Sequence, residues 1–279
     1  MVKLTNKFLL ILILVCQCFY FGCSIDLPGL FASHNLDERF AARNTFKFLS
    51  PDDMTLTTLG DSYSFLVVSD THIENGDAFG LEKIKGVIEA DSKIKFVVVN
   101  GDITQCAWEK DFKKFNEIAD SIRGLGVPVY PTIGNHDIYQ NNWGNWKKYI
   151  GSSTYRINGD SATLLILDTA NAYFGKAQLD WLEEELKNTS ERVFVFTHAN
   201  IFSESPNDIQ QLTDSRERAR LLSILNGRCD VMFSGHLHKR IDTVAGGVQF
   251  RALEDFVVNK AYCIVTVSSS GISYKYRKM

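Results

Sequence analysis

The feature that most constrains this chain is a regular alternation of short apolar runs with amphipathic stretches, which begins at Tyr63. The runs are rich in β-branched residues, and each lies between turn or helix signals, as buried strands of an α/β sheet do. Six runs show the pattern: Phe65–Ser69, Lys95–Val99, Val127–Ile133, Thr163–Leu167, Val193–Thr197 and Asp230–Ser234. The alternation predicts one layered α/β domain with mixed strands.

The stretches between the runs predict helices. Apolar residues recur at helical spacing from Trp108 to Ile122, which indicates a face packed on the core rather than a binding surface. Gln178–Leu186 and Ser215–Leu225 are further helix candidates. Additional short strands are predicted near the C-terminus, at Val248–Ala252, Ala261–Val267 and Ile272–Tyr276.

Five of the six runs are followed closely by side chains that can bind metal ions. In the order of the runs that precede them, they are Asp70 with His72, Asp102, Asn135 with His136, His198, and His236 with His238. Each motif alone is more often a turn or a helix cap. However, five of the six histidines of the chain fall in this set. Because open α/β sheets place ligand sites at the carboxyl ends of their strands, we expect these side chains to meet there.

The composition of this set favours a site with two ions. A structural zinc site is closed and usually rich in cysteine, whereas this set contains no cysteine and exceeds what one tetrahedral ion accepts. Imidazole and carboxylate ligands suit Zn, Fe or Mn better than Mg. We expect Asp70-x-His72 and His236-x-His238 to be extended, so that both side chains of each pair point to one side. On the same reasoning, Asn135 and His136 should point apart.

The motifs Asp-x-His, Gly-Asp, Gly-Asn-His-Asp, a strand-end His and Gly-His-x-His, in that order, resemble those of the calcineurin-like metallophosphoesterase superfamily. The resemblance covers roughly residues 63–240. It implies a β-sandwich of mixed strands flanked by helices, in four αββα layers. It also implies a dinuclear metal centre that hydrolyses phosphate esters.

The resemblance also implies a role for each residue of the set. One metal would be bound by Asp70, His72 and His238, the other by Asn135, His198 and His236, with Asp102 bridging the two. A hydroxide held between two divalent or mixed-valence ions of Fe, Mn or Zn would attack phosphorus directly. His136 would be the acid that faces the leaving group rather than a metal ligand.

Details of the sequence narrow the prediction within the superfamily. The Asp-x-His start and the helix that begins at Gln178 resemble most closely the compact single-domain phosphodiesterase branch, so phosphodiesters are favoured over monoesters. Gln105 offers no carboxylate to orient His136, whose partner is therefore unassigned. The alternative is a non-catalytic cell-surface binding protein on a phosphoesterase scaffold. A pure binder does not need the complete ligand set that this chain keeps.

Composition bounds the partners of the chain. The formal net charge is −3 without a basic excess, so no nucleic-acid-binding surface is evident and a small phosphate ester is the expected substrate. Cys106, Cys229 and Cys263 are predicted to be buried apolar residues. Trp143 and Trp146 could shape the pocket, or they could pack one helix on the core. The oligomeric state is left open.

The first residues indicate export. Lys3 and Lys7 flank the start of an uncharged run of 14 residues from Phe8 to Phe21, which is shorter than a bilayer span of about 20 and typical of a signal peptide. The cysteine of Gly22-Cys23-Ser24 resembles the lipidated residue of a bacterial lipoprotein. An uncleaved anchor helix is the alternative. We expect a cell-envelope protein, lipid-anchored at Cys23 if bacterial and secreted otherwise.

These signals divide the chain into three parts. They are a signal peptide over 1–22, a tether that leads into the fold over 23–62, and the metallophosphoesterase domain over 63–279. The tether contains breakers and no sustained period. His34, which lies among polar residues of the tether, is expected to be an ordinary surface histidine.

Overall fold

The computed structural model describes residues 36–57, 59–187, 189, 192–202, 212 and 214–279. The predicted signal peptide, Cys23 and His34 lie outside the described residues, so the expectations about them stay predictions. Among the described helices, none combines the length and the apolar character that crossing a bilayer requires. In the described part of the chain the helices are α1 (Leu36–Ala41), α2 (Ile84–Ala90), α3 (Glu109–Arg123), α4 (Trp143–Tyr149), α5 (Lys176–Lys187) and α6 (Ser215–Leu225).

The strands form two mixed sheets. They are β1 (Thr55–Leu56), β2 (Tyr63–Val68), β3 (Ile94–Asn100), β4 (Val129–Thr132), β5 (Tyr155–Gly159), β6 (Ala162–Ile166), β7 (Arg192–Phe196), β8 (Val231–Ser234), β9 (Ile241–Ala245), β10 (Val248–Ala252), β11 (Ala261–Ser268) and β12 (Gly271–Lys278). One sheet has seven strands in the order β1-β5-β6-β7-β8-β10-β9, and the other has five in the order β12-β11-β2-β3-β4. Strands β2, β3 and β4 are mutually parallel neighbours, as are β6, β7 and β8.

The two sheets pack face to face through aromatic residues. The ring of Phe65 in β2 lies 5.0 Å from that of Phe194 in β7, between ring centroids. Along β7 the side chains alternate, as the twofold period of a strand requires. Phe194 belongs to the core between the sheets, whereas Val193 and Val195 pack with Leu182 of α5 on the outer face.

Helices cover the outer faces of both sheets. Helices α5 and α6 pack on the seven-stranded sheet, and Leu221 of α6 is fully buried there. Helix α3 packs on the five-stranded sheet, where Phe115 and Ile122 line one small apolar space together with Val97 of β3. This arrangement confirms the predicted β-sandwich of mixed strands between layers of helices.

The apolar face predicted around α3 is buried, and so are the tryptophans of α4. Phe112, Phe115 and Ile122 are all at most 3% exposed. Trp143 and Trp146, at 3% and 0% exposed, belong to the hydrophobic core. The core interpretation of these two tryptophans therefore holds.

From Leu36 onward the chain packs on the domain, although the sequence there shows no sustained period. Arg39 of α1 is fully buried and forms two hydrogen bonds with the carboxylate of Asp168, at 2.7 and 2.9 Å. Strand β1 pairs in parallel with β5. Because isolated residues and a two-residue strand make these contacts, they leave no periodic signal in the sequence.

Candidate metal centre

The carboxyl ends of strands from both sheets converge at one edge of the sandwich and carry the predicted site residues. Strands β2, β3 and β4 contribute from the five-stranded sheet, and β7 and β8 contribute from the seven-stranded sheet. The residues at these strand ends are Asp70, His72, Asp102, Asn135, His136, His198, His236 and His238. All are buried except His236, which is partly exposed, and His238, whose side chain is 40% exposed. The site therefore opens to solvent beside these last two histidines.

Most of these residues adopt left-handed backbone. The φ angle is positive at Asp70 (55°), His72 (45°), Asp102 (47°), His236 (72°) and His238 (54°). Residues other than glycine rarely adopt this region, and such strain clusters at functional sites. The expectation that Asp70-x-His72 and His236-x-His238 are extended is therefore wrong. Left-handed residues turn the backbone at these positions, and the side chains converge through these turns rather than through strand alternation.

The expectation of an extended segment at Asn135 and His136 is also wrong. Asn135 has helical dihedral angles (φ −69°, ψ −34°), and a 3₁₀ turn over His136–Asn141 follows it. Both residues are buried, at 6% and 8% exposed. In a helical turn, as in a strand, neighbouring side chains project in different directions.

Three donor atoms from the two sheets come together around His238. Its Nε2 lies 3.3 Å from Oδ1 of Asp70 and 3.3 Å from Nε2 of His72. The third distance, from His72 Nε2 to Asp70 Oδ1, is 4.0 Å. Ligand atoms bound to one ion at about 2.0–2.1 Å lie about 3.0–3.4 Å apart. Two of the three separations fit a common ion, and the third is slightly wide.

Asp102 lies between this group and a second one. Its Oδ1 accepts the backbone N–H of His136 at 2.9 Å. Its Oδ2 lies 3.1 Å from Nε2 of His198 and 3.7 Å from Nε2 of His72. Nδ1 of His198 donates to the carbonyl of Asn100 at 3.1 Å, which leaves Nε2 of that ring available to an ion. One carboxylate oxygen thus faces histidines of both groups.

Among the described residues, three sets of three side chains bring one potential ligand atom each within 4.8 Å of one another. The sets are Asp70–His72–His238, His72–Asp102–His136 and Asp102–His198–His236. They share members, so the donors form one continuous cluster rather than separate sites. The residues present therefore fit two neighbouring ions. Asn135, the remaining predicted ligand, is buried next to His136 in the sequence.

The cluster is electrostatically prepared for cations. Burial alone would lower the pKa of His198, but the carboxylates of Asp102 and Asp70 outweigh it and raise this pKa to about 10. At His238 burial likewise lowers the pKa, but the hydrogen bond to Asp70 and the charge of that carboxylate outweigh it, and the pKa rises to about 9. Burial prevails at His72 and lowers its pKa to about 4. Before any ion binds, the buried carboxylates are thus paired with imidazolium groups.

Two motif glycines are required because the backbone passes directly against site side chains. A methyl group at Gly101 would overlap the ring of His198. A methyl group at Gly134 would overlap the backbone nitrogen and Oδ1 of Asp102. The glycines of Gly-Asp and Gly-Asn-His-Asp therefore leave space for the potential ligands themselves.

Asp137, the last residue of the Gly-Asn-His-Asp motif, supports the site, a role that the sequence did not predict. Its buried carboxylate accepts the backbone N–H groups of Ile103 (3.2 Å), Thr104 (2.9 Å) and Gly134 (2.9 Å). Burial, and then the neighbouring charge of Asp102, raise its pKa to about 7. Asp137 joins the loops after β3 and β4, which carry Asp102 and Asn135. Its place directly after His136 was the only signal in the sequence.

Both ring nitrogens of His136 have partners within the protein. Nδ1 lies 2.8 Å from the backbone carbonyl of Gln105, to which it donates. Nε2 lies 3.1 Å from the hydroxyl of Tyr139. Gln105 has no carboxylate to orient His136, but its backbone carbonyl accepts the hydrogen bond from the ring instead. Tyr139 itself was not foreseen.

A loop after β10 closes the site beside His238. Its backbone N–H groups at Phe256 and Val257 donate to the carbonyls of Ser69 (2.9 Å) and Asp70 (3.1 Å). Buried Asp255 places Oδ1 at 3.8 Å from Nδ1 of His238. At this distance the carboxylate forms no hydrogen bond with the ring, but its negative charge helps to raise the pKa of His238. Nothing in the spacing of the motifs indicated this loop.

Comparisons with known proteins agree with this geometry. The profile of a family described as calcineurin-like phosphoesterase matches residues 63–240. A probable cyclic nucleotide phosphodiesterase of Rhodopseudomonas palustris is 24% identical over 228 residues, which are 72% of this chain and 81% of the relative. A probable glycerophosphodiester phosphodiesterase of Arcobacter nitrofigilis is 27% identical over 203 residues, 62% of this chain and 70% of the relative.

A solved structure has the same fold. The crystal structure of a dimetal phosphatase from Danio rerio superposes with a TM-score of 0.61 at 15% identity, covering 77% of this chain and 96% of that one. The matched profile spans the five motifs from Asp70 to His238, and the fold places those motifs along one edge of two packed sheets. On these grounds the chain belongs to the calcineurin-like phosphoesterase family.

Proposed function

We propose that this protein hydrolyses phosphate esters, with phosphodiesters favoured over monoesters, with the aid of two metal ions. The observation that carries the proposal is the position of Asp102. Its Oδ2 faces His198 at 3.1 Å and His72 at 3.7 Å, so one carboxylate is shared by two donor groups. A shared carboxylate supplies negative charge where two cations would repel each other most.

The ligands are divided between the two ions as follows. Asp70, His72 and His238 would hold one ion, Asn135, His198 and His236 the other, and Asp102 both. Fe, Mn or Zn suits this mixture of imidazole and carboxylate. When bound, such a pair of ions activates water and stabilises charge on the phosphate oxygens.

The other residues of the site position groups or move protons. Asp137 fixes the loop that carries Asp102, and the N–H of His136 holds Oδ1 of that carboxylate at 2.9 Å. His136 gives a proton to the departing oxygen of the ester. General acids of this kind typically accelerate such steps by about 10²–10⁴-fold.

The preference for diesters is supported by the relatives rather than by the geometry. The two curated relatives are described as a probable cyclic nucleotide phosphodiesterase and a probable glycerophosphodiester phosphodiesterase. Both of those descriptions concern phosphodiesters. We therefore infer a small phosphodiester as the substrate class.

The test is hydrolysis by protein that has been stripped of metal and reloaded with Mn, Zn or Fe. We expect bis(p-nitrophenyl) phosphate to be hydrolysed with a higher kcat/KM than p-nitrophenyl phosphate. Asp102→Ala should abolish activity and lower the content of both ions, because the shared ligand is lost. His72→Ala should mainly lower the content of one.

Asp180→Ala is the matched control, because Asp180 is an exposed carboxylate on α5 outside the cluster. This variant should keep both the activity and the ions. Faster hydrolysis of the monoester would contradict the diester preference. An ion-loaded protein that hydrolyses neither ester would favour the binding-protein alternative.

A further inference from the structure

Tyr139 lies against the histidine that we assign as the proton donor, although no motif includes it. Its hydroxyl is 3.1 Å from Nε2 of His136, and the two ring centroids are 4.0 Å apart. Tyr139 is 9% exposed and His136 is 8% exposed. The hydrogen bond is therefore largely shielded from water, which would otherwise compete for it.

The local backbone brings the two side chains together. His136 and Tyr139 are three residues apart in a 3₁₀ turn, where side chains at this spacing lie over one another. Tyr139 then leaves the turn (φ −53°, ψ 151°), and Gln140 has left-handed backbone (φ 52°). A left-handed residue other than glycine is strained, and such strain is typical of functional sites.

The partner of Nδ1 fixes the proton arrangement of the His136 ring. A backbone carbonyl only accepts hydrogen bonds, so Nδ1 of His136 carries the proton that it donates to Gln105. In the neutral ring, Nε2 then has no proton, and its lone pair accepts a hydrogen bond from the hydroxyl of Tyr139. In the protonated ring, N–H at Nε2 donates to the oxygen of Tyr139 or to a substrate oxygen.

We propose that Tyr139 is a positioning residue for protonation of the leaving group; this inference rests on the proposed hydrolysis. Protonated His136 breaks its Nε2–H bond, and a new O–H bond forms on the departing alkoxide. The neutral ring keeps its proton on Nδ1, and the hydroxyl of Tyr139 rotates to donate to Nε2. A hydroxyl can serve as acceptor before the transfer and as donor after it. Tyr139 gains and loses no proton.

The test is the dependence of kcat/KM on the leaving group in Tyr139→Phe, which keeps the ring and removes only the hydroxyl. We expect a change within about twofold for diesters of p-nitrophenol, which departs readily as an anion. For alkyl diesters we expect a loss of roughly 10–100-fold, below the full range of a general acid. In a His136→Ala background, Tyr139→Phe should cause no further loss, because Tyr139 acts through His136.

Tyr130→Phe is the matched control, since its buried hydroxyl donates to the carbonyl of Asp53 at 2.8 Å, outside the cluster. It should leave the leaving-group dependence unchanged. An equal loss on every ester in Tyr139→Phe, or a further loss in the His136→Ala background, would overturn the inference. A wild-type protein inactive on all esters would instead overturn the proposed function.

A measurement on the wild-type protein tests the inference independently of the variants. Nitrogen-15 NMR of the zinc-loaded protein should show neutral His136 with its proton on Nδ1. A proton on Nε2 of the neutral ring would contradict the arrangement, because the hydroxyl of Tyr139 could then not donate to it.

Discussion

At the scale of single residues, the site depends on how closely the backbone approaches the potential ligands. Gly134 lies against Oδ1 of Asp102, the same oxygen that accepts the N–H of His136 at 2.9 Å. Any side chain at this glycine would push the carboxylate away from that N–H. The other oxygen of Asp102 faces both His198 and His72, so the displacement would disturb both groups of potential ligands.

We therefore expect Gly134→Ala to lower kcat/KM by roughly 10²-fold, because small misplacements of reacting groups have effects of that order. The content of both ions should fall as well. Gly86→Ala is the control, since nothing lies within 4 Å of a methyl group at this position of α2. It should keep full activity and gain up to about 1 kcal/mol of stability from helix propensity. Normal ion content in Gly134→Ala would show that Asp102 tolerates the methyl group.

The sequence predicted which residues meet at the site but not how they meet. Strand-end spacing and ligand chemistry were sufficient to select Asp70, Asp102 and His198. The left-handed backbone at Asp70 is imposed by the tertiary structure, and no propensity of aspartate for that region is strong enough to reveal it. Tyr139 and Asp255 were missed because they act through side chains already in the site. Such indirect contacts have no fixed spacing.

At the scale of elements, α1 is held to the domain by a buried ion pair together with the buried apolar side chains of Leu36 and Phe40. The guanidinium of Arg39 binds both oxygens of Asp168 and also donates to Oδ1 of Asn171 at 2.8 Å. Asp168 lies two residues after the end of β6, and its neighbour Thr169 accepts the backbone N–H of Ala199 at 2.8 Å. This chain of contacts links α1 to the loop that carries His198.

Arg39→Met should reduce the free energy of unfolding by roughly 3–5 kcal/mol, because it leaves the carboxylate of Asp168 buried without its partner. Urea denaturation measures the loss. Arg43→Met, a change at a partly exposed arginine just after α1, should alter stability by less than about 1 kcal/mol. The double variant Arg39→Met, Asp168→Leu should recover most of the loss, since no buried charge remains. A single variant as stable as the wild type would show that water reaches Asp168.

The elements that the sequence predicted have either an unbroken apolar run or a sustained periodic pattern. All six apolar runs form strands, and α6 begins at Ser215 and ends at Leu225 as predicted. Strands β1, β5 and β9 were not foreseen. Strand β1 has two residues, and β9 alternates buried with exposed positions only weakly at the edge of its sheet. Short edge strands are selected by their partners rather than by their own sequence.

At the scale of the whole molecule, charge pairing crosses from one sheet to the other at the site. Asp70 and Asp102 follow strands of the five-stranded sheet, whereas His198 and His238 follow strands of the seven-stranded sheet. Their facing atoms lie 3.1 Å apart for Asp102 and His198, and 3.3 Å apart for Asp70 and His238. The overall architecture could be predicted because the order of the motifs resembles one family. The charge states at this junction depend on burial, which the sequence does not reveal.

Ion binding should therefore release protons in an amount set by these pairs. The pKa values of His198 and His238 are raised to about 10 and about 9, so both rings are protonated at pH 8 before an ion binds. The pKa of His72 is lowered to about 4 and that of Asp137 is raised to about 7, so at pH 8 the His72 ring is neutral and Asp137 is mostly ionised. Because metal ligands must be deprotonated, loading both ions at pH 8 should release about two protons from these histidines, besides the proton that an ion-bound water loses.

Calorimetric titration of the stripped protein with Mn²⁺, repeated in buffers of different ionisation enthalpy, measures this number. The affinity for the ions should rise with pH until about pH 9–10, where His238 and then His198 lose their protons without help from the metal. His238→Gln should release about one proton fewer than the wild type, because of these two rings only His198 is left to deprotonate. Heats that account for no proton beyond that of the water would mean that both rings are already neutral at pH 8. Asp102 and Asp70 would then face neutral His198 and His238 across the two sheets, and these contacts would be hydrogen bonds rather than ion pairs.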